Sequence, residues 1–192
     1  MSQLPERPYV SSRARLFFGV TAAIALFGLA VQAIQVGRGQ KDFFSTSVSG
    51  MFGLLFYFTI LSNILVAIAC TLLYLNPNRD STAFRWLRLT STIGIVVTGV
   101  VYHGVLAGLF DLHGLDWLAD FILHTVDPVI VVIGWFVFGP RALTSRKVVG
   151  LTVIFPFLYG VVTLIRGPIV HWYPYPFWIR VKRDMAMSRS IA

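Results

Sequence analysis

FFSTSVSGMFGLLFYFTILSNILVAIACTLLYL, residues 43–75, contains no Asp, Glu, Lys or Arg. A helix needs about 20 mostly apolar residues to cross a bilayer. A soluble domain does not keep an uncharged run of this length. Residues 16–36, 89–110 and 148–165 are uncharged runs of similar kind. A fifth run, 121–138, is broken only by His124 and Asp127. The pattern predicts an all-α, polytopic transmembrane helical bundle with five evident spans.

Composition agrees. Of 192 residues, 56% are hydrophobic and only 12% are charged, against roughly 25% in an average globular chain. The spans consume most of the chain and leave no room for a separate soluble domain. The reading is a lead over 1–14, one bundle over 15–178 and a basic tail over 179–192.

The net charge of +8 does not indicate nucleic acid, because the basic residues are not gathered on one surface. Arg7, Arg13 and Arg15 precede the first run. Arg79, Arg85 and Arg88 follow the second, and Arg141, Arg146 and Lys147 follow the fourth. The other connections are poor in positive charge: one holds Arg38 and Lys41, and 111–120 holds none. Positive residues accumulate on the cytoplasmic side of short loops. The alternation therefore predicts a cytoplasmic N-terminus and an external acidic connection carrying Asp111, Asp116 and Asp120. The expected location is a bacterial inner membrane, and the expected partner is the lipid bilayer.

Helices are expected over about 15–36, 51–75, 89–110, 121–138 and 147–165. Asn76-Pro77-Asn78 and Gly139-Pro140 are strong breakers. Residues 16–36 exceed the 7–15 residues of a signal-peptide core, which predicts an uncleaved first helix. Cys70, the only cysteine, permits no intramolecular disulfide and reads as a small buried hydrophobe.

Polar groups inside a span are costly, and functional by default. Here they are Thr59, Ser62, Asn63, His103, His124, Thr125 and Asp127. At 1.5 Å per residue, Thr59 lies about 12 Å below the outer face and His103 about 10 Å. His124 and Asp127 lie roughly 5–9 Å deep. Three helices thus bring costly groups to one layer. Thr59, Ser62 and Asn63, spaced i, i+3, i+4, share a helical face. His124 and Asp127, spaced i, i+3, are expected to share another, with the carboxylate orienting the imidazole. A hydroxyl beside such an imidazole could act as a nucleophile. Asn63 could hydrogen-bond an oxyanion or simply another helix. Ser62 and Thr125 read as helix-bonding hydroxyls. No Gly-x-Ser-x-Gly elbow, His-Glu-x-x-His helix or phosphate-binding glycine loop occurs.

Tyr57-Phe58-Thr59-Ile60-Leu61-Ser62-Asn63, Leu123-His124-Thr125-Val126-Asp127-Pro128 and Trp172-Tyr173-Pro174-Tyr175-Pro176-Phe177 resemble the bacterial predicted six-span membrane proteins. Those are similar to the animal androgen-induced and androgen-dependent multi-pass proteins, which hydrolyse fatty acid esters of hydroxy fatty acids. The resemblance implies an intramembrane threonine–histidine hydrolase, with Thr59 as nucleophile and His124 as base. It also implies a sixth span after Phe177, which is missing here. On this reading Asp127 orients His124, Asn63 or His103 donates to the oxyanion, and no cofactor is needed. Two other readings stand beside it. One is a haem protein with His103 and His124 as axial ligands. The other is a non-catalytic carrier, sensor or scaffold.

Overall fold

A computed structural model of the chain describes residues 12–38, 47–139 and 145–175. Among these there is no strand. The helices are α1 (Ser12–Gly37), α2 (Ser47–Leu54), α3 (Phe58–Leu75), α4 (Thr82–Val101), α5 (Gly114–Phe121), α6 (Asp127–Phe138) and α7 (Arg146–Val170). A π-helical turn, Tyr102–Leu106, extends α4, and a second, Ile122–Val126, joins α5 to α6. Five of the resulting helical runs are long and apolar enough to cross a membrane. This is the helix set of a multi-pass membrane protein. The expected tail, 179–192, lies outside the described residues.

The distribution of side chains is the reverse of a water-soluble fold. Phe27, Phe136 and Phe157 face outward, whereas Thr21, Thr59, Ser62, Asn63, Thr90, Thr98 and Asp127 are buried. Lipid solvates the apolar exterior, and the polar groups need protein partners.

The chain divides into two units, residues 1–153 and 154–192. In the first, α1 packs most extensively on α3, and α3 on α4. The face that α1 buries is Ala14, Phe18, Ala22, Ala25 and Gly28. Small residues at this spacing let backbones approach closely. The central cluster joins Ala14, Phe18 and Ala22 to Val66, Cys70, Leu73 and Ile95, so Cys70 is a buried hydrophobe. The start of α7 is tied to α4 by the Trp86 indole N–H donating to the Leu151 carbonyl at 3.1 Å. In the second unit α7 continues through Pro156 and Pro168. It ends at His171, whose φ of 53° is the left-handed cap common at helix C-termini.

Several boundaries differ from the sequence expectation. The expected helix over 51–75 is two helices. Amides of Leu55, Phe56 and Tyr57 bond three residues back, to Phe52, Gly53 and Leu54. That tight turn closes α2 and makes α3 begin at Phe58. Residues 81–88 are not a connection: Ser81 caps α4, its hydroxyl accepting from the Phe84 amide at 3.1 Å. Residues 114–120 are likewise helical rather than loop. Charge cuts a hydropathy run short, but a helix ends only where its backbone is capped or broken. Gly108, between α4 and α5, and Gly114, the first residue of α5, take positive φ values of 80° and 58°. A residue bearing a Cβ disfavours that conformation.

The second π turn has an identifiable cause. Pro128 has no N–H, so the His124 carbonyl loses its α-helical donor, and the ring would clash there. The Asp127 amide reaches back to the Ile122 carbonyl instead. The extra residue is accommodated as a bulge, a common cause of kinks. Two glycines cradle this bulge. A Cβ on Gly28 would lie 2.7 Å from Ile122 Cγ2, and one on Gly99 would lie 2.9 Å from Pro128 Cβ. Gly99→Ala is therefore expected to destabilise the protein by about 1–3 kcal/mol through overpacking. Gly150→Ala, where a Cβ meets nothing within 4 Å, is the matched control. Thermal unfolding in detergent measures both, and equal melting temperatures would contradict the close fit.

Candidate active site

Thr59 is the second residue of α3. It sits within the first turn after the break, where the positive end of the helix dipole favours developing negative charge. Its side chain reaches the second π turn: Thr59 Oγ1 lies 3.1 Å from His124 Nε2. Thr59 is 7% exposed, and the His124 side chain is 15% exposed. The pair is enclosed but remains reachable.

His124 Nδ1 faces Asp120. It lies 3.0 Å from the Asp120 carbonyl oxygen and 3.1 Å from Asp120 Oδ1. A carbonyl and a carboxylate only accept. A proton therefore sits on Nδ1, and in the neutral imidazole the Nε2 lone pair is directed at the Thr59 hydroxyl. The other carboxylate oxygen, Oδ2, accepts from the Tyr102 hydroxyl. The Tyr102 ring also stacks on the His124 ring, 4.2 Å between centroids at 19°. Asp120 and Tyr102 thus fix the imidazole in tautomer, rotation and tilt.

Asp120 replaces Asp127 in this arrangement. Asp127 is fully buried, and among the described residues neither of its carboxylate oxygens has a hydrogen-bond partner. The expected i, i+3 pairing fails because His124 sits inside the π turn, which ends just before Asp127. Its wider turn takes Asp127 off the His124 face. Asp120 precedes His124 by four residues, the spacing at which helical neighbours meet. Sequence reading missed it by treating 111–120 as a loop. Tyr102 carried no signal of its own beyond adjacency to His103.

Asn63 is also reassigned. Its Nδ2 donates to the Thr59 carbonyl at 2.8 Å and to the Leu123 carbonyl at 3.2 Å. Both donors are spent, so none remains for an oxyanion. Asn63 instead joins α3 to the π turn and sets the level at which Thr59 meets His124. His103 does not join the Thr59–His124 pair; its Nε2 lies 3.2 Å from Thr125 Oγ1. His103 stands edge-on to the Tyr102 ring, 5.1 Å between centroids. The two imidazoles thus face different hydroxyls and flank one tyrosine, which does not form the open pair of nitrogens that axial haem ligation needs. Ser62 is buried, and its hydroxyl has no hydrogen-bond partner among the described residues.

A hydroxyl, an imidazole and a carboxylate in sequence form the arrangement by which hydrolases activate an alcohol, recognised by geometry and not by chain order. No known protein family, curated protein or solved structure matches this chain.

Proposed function

We propose that the chain is an intramembrane hydrolase of lipid esters, with Thr59 as nucleophile, His124 as general base and Asp120 as the group that orients the imidazole. The observation that carries the reading is the continuous line Thr59–His124–Asp120, at 3.1 Å and 3.1 Å. The Thr59 and His124 motifs also resemble those of the bacterial predicted six-span membrane proteins, which are similar to the animal ester hydrolases, and this favours the same assignment. Thr59 Oγ1 attacks the acyl carbonyl while its proton passes to His124 Nε2. The tetrahedral intermediate collapses, and the departing alcohol takes that proton. Water, deprotonated by His124, then releases the acid from the acyl-threonine and restores the hydroxyl. No cofactor takes part.

The substrate class follows from the surroundings. The exterior around the site is hydrocarbon-solvated, so the substrate is a bilayer-resident ester. A probe directed at activated serine and threonine hydroxyls is expected to label the wild-type protein in membranes and to leave Thr59→Ala unlabelled. Equal labelling of both would exclude Thr59 as the nucleophile.

The alternation of positive charge supports a cell-membrane protein with a cytoplasmic N-terminus, which places residues 107–113 outside. The His113 side chain is 79% exposed, and Cys70, the native cysteine, is buried. His113→Cys is therefore expected to react with an impermeant thiol reagent in intact cells. Reaction only after lysis would invert the topology.

A further inference from the structure

Beside the Thr59–His124 pair lies a second group of costly atoms that ester cleavage does not use. Both carboxylate oxygens of Asp127, Asn63 Oδ1, Ser62 Oγ and Thr98 Oγ1 are buried, and none has a hydrogen-bond partner among the described residues. Asp127, Ser62 and Asn63 are 0% exposed and Thr98 is 4% exposed. We propose that these residues form a binding site for a small monovalent cation of the sodium class, enclosed between α3, α4 and the start of α6.

Register places the four residues at one level. Asn63 Nδ2 bonds the Leu123 carbonyl at 3.2 Å, which sets Ser62 and Asn63 level with the second π turn. A Cβ on Gly99 would lie 2.9 Å from Pro128 Cβ and 3.5 Å from the His124 carbonyl, which sets the Thr98–Gly99 step of α4 at the level of the second π turn and the start of α6. The orientation of Asn63 is fixed as well. Its nitrogen is claimed by two carbonyls, so the atom left over is the oxygen, an acceptor only.

Chemistry selects the ligand. A bare carboxylate in a low-dielectric interior costs several kcal/mol and must be neutralised. No Lys, Arg or His side chain forms an ion pair with Asp127 among the described residues. The donor set is all oxygen, with no thiolate or imidazole, which suits a hard cation. A single carboxylate balances a single charge; a divalent ion would leave the interior with net positive charge. The four residues also bond none of each other. A cation ligated by all of them would draw their oxygens to one point without needing a donor.

The test is thermal unfolding of the full chain in detergent, in sodium chloride and in choline chloride at equal ionic strength. Wild type is expected to melt at a temperature that climbs with sodium and saturates, as a ligand of the folded state requires, and not to respond to choline. Asp127→Asn is expected to lose the sodium response. Ser62→Ala keeps the charge and removes one ligand. It is expected to raise the half-saturating sodium concentration about ten-fold, the lower end of what losing one metal-site partner costs. Ser62→Ala also decides the matter if Asp127→Asn does not fold. The proposal is overturned by equal melting in the two salts, by an unaltered sodium response in either variant, or by stability that follows pH with no preference among cations, which would mean that a proton alone neutralises Asp127. The readout is melting temperature, so this outcome is independent of whether the chain cleaves esters.

Discussion

Thr59→Ala and His124→Ala are each expected to lower ester cleavage at least about a thousand-fold while the protein stays inserted and folded. The two groups share one step. Without the hydroxyl there is no nucleophile for His124 to activate, and without the imidazole the hydroxyl keeps its proton. Their effects are therefore expected to be non-additive, with the double variant little worse than either single one. The measurement is single-turnover release of a chromogenic acyl ester in detergent or liposomes, with thermal unfolding in parallel. Neither substitution removes the Asn63 amide bonds to the Thr59 and Leu123 carbonyls at 2.8 and 3.2 Å. The join between α3 and the π turn should therefore survive. Full cleavage by Thr59→Ala would discard the threonine mechanism. Unfolding of both single variants would instead make the pair a helix–helix bond.

What could be read from sequence follows from what hydrophobicity reports. It reports solvent, so four charge-free runs and a fifth broken only by His124 and Asp127 gave five spans, with boundaries wrong wherever charge and helix disagree. Arg85 and Arg88 mark a loop by charge, yet Ser81 caps a helix ahead of them. Depth reports level, so Thr59 and His124 could be matched across two helices by counting residues at 1.5 Å each. Neither signal reports local helix geometry. The break at residues 55–57 falls in Leu-Phe-Tyr, as apolar as its flanks. The π turn before Asp127 follows from Pro128 acting on the His124 carbonyl, and a regular helix drawn through that proline puts the wrong aspartate beside the histidine. The glycines carry the remaining information. Gly28 and Gly99 are ordinary small residues in sequence, and only the packing shows that they seat the bulge.

The two aspartates separate the regular-helix reading from the bulged one. Asp120→Asn is expected to lower kcat at least about a hundred-fold with little change in KM. The carboxylate acts on the imidazolium that forms during proton transfer, not on bound ester, so its loss falls on the transition state. A carboxamide can also donate to Nδ1, which would move the proton to Nε2 and turn that nitrogen from Thr59's acceptor into a donor. One feature limits the damage. The Asp120 backbone carbonyl, 3.0 Å from His124 Nδ1, survives the substitution and still favours the productive tautomer. The loss should therefore fall short of the roughly 10⁴-fold seen when such an aspartate is the sole orienting group. The fold should tolerate the change, because asparagine matches aspartate in size and still accepts from the Tyr102 hydroxyl. Asp127 differs in kind. It is fully buried, with no hydrogen-bond partner for its carboxylate among the described residues, so Asp127→Asn acts first on melting temperature and its sodium dependence. Steady-state kinetics and unfolding on the two variants distinguish the cases. A kcat defect in Asp127→Asn at wild-type stability, with Asp120→Asn fully active, would return the orienting role to Asp127 and mean that the π turn is not the working geometry of the helix.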